Sequence, residues 1–170
     1  MRGWRLGALV VSLLLLQVAL FPHLRVFGVV PDLGLLAALA VAYRYGPERG
    51  ALVGFAAGFG YDLFLATPTG LSALSYALTA YAVGVLQGGL LREPRAVAPF
   101  LGLLGGLASG AIFAAIGIVV GVDALRVDRT IAVIALAAVY DGVLAPFVFP
   151  LVSRAAGRDT EVASGWAVGR

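Results

Sequence analysis

The stretch TIAVIALAAVYDGVLAPFVFPLV, residues 130–152, decides what kind of molecule this chain is. It runs for 23 residues and holds one charged side chain, Asp141. A helix needs about 20 mostly apolar residues to cross the hydrocarbon core of a bilayer. Working outward from it, the same pattern recurs at 97–121, 71–91, 50–65, 31–45 and 6–21. Gly46-Pro47, Thr67-Pro68-Thr69-Gly70, Glu93-Pro94 and the polar stretch 123–129 separate the runs as turns. Hydrophobic residues make up 61% of the 170 and charged residues 12%. A water-soluble domain has no way to hide that much apolar surface. The expected fold class is therefore an all-α integral membrane protein, a compact bundle of six transmembrane helices.

The charges outside the runs give the orientation. All twelve basic residues are arginines. Alternate loops of a six-span chain fall on opposite sides. One side carries Arg2, Arg5, Arg44, Arg49, Arg92, Arg95, Arg154, Arg158 and Arg170, the other only Arg25, Arg126 and Arg129. Nine against three predicts that both termini are cytoplasmic. The first run begins like a signal peptide, but no small-x-small cleavage site follows it, so it reads as a retained helix. The loops leave no room for a soluble domain, and 153–170 reads as a flexible cytoplasmic tail with Trp166 at the interface.

The second run is shorter than a full crossing, and Val26–Val30 before it reads as a dip into the interface. Pro31 suits the first position of its helix, and Asp32, as a first-turn acid, suits the helix dipole and reads as a cap. Pro146 in the sixth run frees the carbonyl of Gly142, one turn back. That either bends the helix or opens it beside Asp141, as in transporter sites.

Two carboxylates, Asp62 and Asp141, fall well inside the runs. At ~1.5 Å per residue they are expected near one depth, with Gln17, Thr79 and Ser109 close to the same layer. An intramembrane acid is costly. These two could lock helices together through hydrogen bonds, handle a proton or substrate, or meet a polar group on a partner helix. Small-residue ladders form another pattern: Gly50, Gly54 and Gly58 in the third run, and Gly102, Gly106 and Gly110 in the fifth. Such faces let backbones approach closely in lipid. They serve packing within the bundle, docking of a partner's helix, or both. Tyr-Asp occurs at 61–62 and again at 140–141, a slight hint of an inverted repeat.

Catalysis has little to build on. There is no cysteine and one histidine, so thiol chemistry and multi-histidine metal sites are excluded. The hydrolase, zinc-protease and phosphate-loop motifs are absent, and the surroundings of Asp62 and Asp141 do not match those of an intramembrane aspartyl protease. No enzyme, cofactor or metal is expected. The dispersed arginines suit topology rather than nucleic acid.

Several short motifs then fall into a recognisable order. Leu16-Gln17 and Leu20-Phe21-Pro22 close the first run, and Pro31-Asp32-Leu33 opens the second. Gly54-Phe55, Gly58 and Tyr61-Asp62-Leu63 lead into Thr67-Pro68 and Gly70. The last run holds Tyr140-Asp141-Gly142-Val143-Leu144-Ala145-Pro146 and Pro150. In order and spacing this resembles the bacterial rod shape-determining protein MreD family, over roughly residues 6–155. The family pattern implies Asn where this chain has Asp141, so that position needs a hydrogen-bonding side chain more than a charge. The resemblance implies a non-catalytic component of the cell-elongation machinery in the bacterial inner membrane. Its implied partners are MreC, the glycan polymerase RodA with its class B penicillin-binding transpeptidase, and cytoplasmic MreB filaments. It further implies a fold like the substrate-binding subunits of energy-coupling-factor vitamin transporters. A membrane scaffold is the expected function. The alternative is a small-molecule-binding transport subunit, with a pocket near Asp32, Asp62, Ser72 and Ser75.

Overall fold

A computed structural model describes residues 3–19, 29–64, 69–90, 94–121 and 127–156. They form six helices: α1 (Gly3–Ala19), α2 (Leu33–Tyr45), α3 (Pro47–Asp62), α4 (Leu71–Leu90), α5 (Pro94–Val119) and α6 (Val127–Ala156). Two stretches, Val97–Val119 and Thr130–Ala155, are long and apolar enough to cross a membrane by length and composition.

Several boundaries differ from the sequence expectation. Helix α2 starts at Leu33 rather than Pro31, and α3 ends at Asp62 rather than residue 65. Helix α6 continues to Ala156, so the first residues of the expected tail are helical, because nothing in Ser153-Arg154-Ala155-Ala156 breaks a helix. Residues 157–170, with Trp166, and most of the expected interfacial dip at 26–30 lie outside the described residues.

Helix α2 is the axis of the fold. Every residue from Leu33 to Tyr43 is buried, and the helix touches the other five. Its sequence, LGLLAALAVAYRY, is apolar on all sides, and such a helix is stable only when surrounded. Leu35, Leu36, Leu39 and Val41 are fully enclosed. Around this axis α3 lies along α4 and α5 along α6, while α1 rests on α2, α3 and α6.

The close approach of these helices comes from glycine. A methyl group on Gly54 would stand 2.8 Å from the carbonyl oxygen of Tyr76, and Gly58 presses on the backbone of Ser72. Gly50 meets Ala42 of α2. On the other side, a methyl on Gly102 would lie 2.5 Å from the carbonyl oxygen of Asp141, and one on Gly106 2.9 Å from Cα of Ala138. Gly110 faces Ile134. Both ladders are therefore filled by this chain's own helices. A docking face for a partner helix, one of the two expectations for them, is not what these glycines form.

An apolar interior encloses a few polar side chains, and the exterior is apolar as well. Gln17, Asp62, Ser72, Ser75, Thr79, Ser109 and Asp141 are buried. Outward stand Leu52, Phe55 and Phe59 of α3, Leu78 and Tyr81 of α4, Phe100 and Leu104 of α5, and Val143 and Phe147 of α6.

Candidate functional site

Pro31 and Asp32 lead into α2 at the centre of the bundle. Pro31 is buried, and Asp32, at φ −97° and ψ 77°, occupies the N-cap position. Its side chain nevertheless makes no capping bond, which corrects the expectation of a simple cap. Its Oδ1 instead accepts two hydrogen bonds, from the hydroxyl of Tyr76 on α4 at 2.8 Å and from Nε2 of Gln17 on α1 at 3.2 Å. The cap is supplied from another helix: Oε1 of Gln17 accepts the N–H of Gly34 in the first turn of α2, at 3.2 Å. A buried helix start leaves N–H groups to be satisfied, and a long amide with one donating and one accepting end can serve both the carboxylate and the backbone.

Asp141 completes the cluster. It lies in the middle of α6, where Gly102 and Gly106 bring α5 against it. Its Oδ1 accepts the backbone N–H of Asp32 at 2.7 Å, and the residue is fully buried. Four elements thus meet at one polar node: Gln17 from α1, Asp32 at the head of α2, Tyr76 from α4 and Asp141 from α6. Pro146, a turn beyond Asp141, lies within α6, which runs through it and through Pro150 as one helix.

Asp62 stands elsewhere and does something different. It is the last residue of α3, not a residue deep inside a span. Its carboxylate accepts the N–H groups of Gly70 at 2.8 Å, Ser72 at 3.1 Å and Ala73 at 3.2 Å. It is the N-terminal cap of α4, delivered from the preceding helix. Gly70, at φ +108°, takes the left-handed turn that points these amides at it. The expected polar layer at one depth therefore divides. Gln17 and Asp141 join the node, while Asp62 belongs to the α3–α4 turn. Thr79 donates to the carbonyl of Ser75 at 2.7 Å, and Ser75 to that of Leu71 at 3.0 Å, so these two hydroxyls are satisfied within α4. Ser109 is buried on α5. The Tyr-Asp pairs share one habit, since each acid accepts backbone N–H at the head of another helix, but one ends its helix and the other sits mid-helix.

Sequence reasoning missed Tyr76. The signal was a phenol in the small-residue stretch LSALSYALTA of α4, where a buried O–H demands an acceptor. It missed the donor role of the Asp32 backbone as well, which no pattern of side chains encodes.

Chemically, the node holds two carboxylates, an amide and a phenol. Among the described residues no three potential metal ligands gather. The arrangement fastens helices far apart in sequence: residue 17 to 32, 32 to 76 and 32 to 141.

The family model of the rod shape-determining protein MreD matches residues 3–154. Comparison with curated proteins and with solved structures gives no match. That family match runs from the first residue of α1 almost to the end of α6 and takes in all four residues of the node, so the chain belongs to the MreD family of rod shape-determining proteins.

Proposed function

We propose that this protein is a multi-pass component of the bacterial cytoplasmic membrane and a non-catalytic scaffold of the rod-shape machinery. In this reading all six helices lie in the bilayer, both termini are cytoplasmic, and the chain after α6 is a short cytoplasmic tail. The apolar exterior carries it. Leu52, Phe55, Phe59, Leu104, Val143 and Phe147 face outward while Gln17, Asp62 and Asp141 are enclosed. Water would penalise an apolar exterior of that extent, whereas lipid is its natural solvent.

Membership of the family supports a role in determining rod shape. Within that role the scaffold docks MreC and links it to RodA, its class B transpeptidase and MreB filaments. The use of the polar side chains favours docking over catalysis: Gln17, Asp32, Asp62 and Tyr76 are engaged in holding helices together. Because the glycine ladders are filled internally, partners must use outward faces. One such face is the α3 stripe of Leu52, Phe55 and Phe59, whose two phenyl rings stack at 6.2 Å.

Affinity purification from native membranes in mild detergent, with mass spectrometry of proteins and small molecules, tests this. The expected result is recovery of MreC or the glycan polymerase. Recovery of a transport ATPase pair or a bound vitamin would instead establish the transport-subunit reading.

A further inference from the structure

The node at the head of α2 has more acceptors than donors. Gln17 and Tyr76 both donate to one oxygen of Asp32, and the Asp32 N–H goes to one oxygen of Asp141. The other oxygen of Asp141, Oδ2, receives no hydrogen bond from the described residues, although the side chain is 0% exposed. On the same turn of α6, Gly142 follows, and Pro146 has no N–H to give its carbonyl. A buried carboxylate oxygen left without a donor is strongly unfavourable unless positive charge reaches it. Of the arginines whose side chains are described, Arg44 and Arg154 stand in the last turns of α2 and α6 and Arg49 in the first turn of α3, at helix ends rather than beside Asp141 in mid-helix.

We propose that Asp32 and Asp141 form a binding site for one small cation, a sodium ion or a proton, seated against Oδ2 of Asp141. On the α5 side the packing leaves no room for a larger occupant. A methyl group on Gly106 would already be 2.9 Å from Oδ2 and 2.9 Å from Cα of Ala138, so no organic cation enters from the α5 side. Among the described residues few other ionisable groups surround the pair. Tyr76 meets Asp32 from α4, and Tyr61 of α3 is near enough to interact with Tyr76 electrostatically. Helix α1 presents the non-ionising Gln17, and α5 has no ionisable side chain between Val97 and Val119. The occupant neutralises the pair and so fastens α6 to the head of α2.

The test is thermal unfolding of the purified full-length protein in detergent. Sodium chloride is exchanged for choline chloride at constant ionic strength, and pH is varied separately. Wild type is compared with Asp141→Asn, which keeps an acceptor for the Asp32 N–H. Sodium binding predicts a rise in the unfolding midpoint of about 5 °C at saturation, absent in Asp141→Asn. Proton binding predicts no sodium effect and a midpoint that falls as pH rises, with Asp141→Asn losing that fall. Two measurements on the wild type need no substitution: binding of radioactive sodium, and the infrared band of a neutral carboxylic acid that disappears at high pH. If the wild type shows neither, or if Asp141→Asn retains the wild-type responses, the proposal is overturned.

Discussion

Asp62 and Tyr76 show how single polar side chains hold this structure. Asp62 accepts three backbone N–H groups, and those of Ser72 and Ala73 are buried. Removing it leaves the head of α4 unsatisfied, so Asp62→Ala should cost about 2 kcal/mol. Asp62→Asn, with one accepting oxygen, should cost clearly less, and the unfolding midpoints of the two variants compare them directly. Tyr76→Phe keeps the ring and deletes only the 2.8 Å bond to Asp32. A hydrogen bond to a carboxylate is worth about 1.5–3 kcal/mol, and the same unfolding measurement should return a loss in that range. A midpoint unchanged by Tyr76→Phe would mean that Asp32 finds another donor.

At the scale of the element, glycines of similar appearance behave differently because their neighbours differ. Gly54 and Gly58 sit on the backbone of α4, which moves only with the whole helix, whereas Gly7 has nothing within 4 Å of where a methyl would be. Gly54→Ala and Gly58→Ala should each destabilise by about 1–3 kcal/mol through forced separation of α3 from α4. Gly7→Ala should be neutral or stabilising by up to about 1 kcal/mol, since alanine is the better helix former. Expression level and unfolding midpoint of the three variants check this ordering. Leucine at Gly54 or Gly106 should prevent folding altogether. A partner lost by such a variant would report a broken bundle, not a blocked interface.

For the whole molecule, the solvent is the question. Val143 is 61% exposed near the middle of α6. In water, an exposed valine replaced by arginine would change stability by less than about 0.5 kcal/mol. At the centre of a membrane helix the change should cost about 2.5–3.5 kcal/mol of insertion. Membrane extraction of Val143→Arg, compared with a substitution in the first turn of α3 such as Glu48→Arg, should therefore show a defect for the first only. Equal behaviour of the two would argue against a bilayer around α6. Cysteines placed beside Trp4 and after Ala156 in this cysteine-free chain, probed with an impermeant reagent, should both be shielded in intact cells if the termini are cytoplasmic.

The sequence by itself determined the six helices, to within a few residues at most ends, and the family, because apolar run length, proline and glycine breaks and motif order are local properties of the chain. It also singled out Gln17, Asp32, Asp62 and Asp141, since a polar group in an apolar run is conspicuous wherever the run goes. The tertiary structure decided what each one touches. Helical rise placed Asp62 and Asp141 at one depth, yet one ends α3 and caps α4 while the other holds the head of α2. Rise along a helix gives height but not the rotation of one helix about another, and that rotation selects the partner. The same reason hid the burial of α2, whose uniform apolarity fits lipid as well as protein, and left the glycine ladders open between inner packing and an outer face until the opposing backbones were seen.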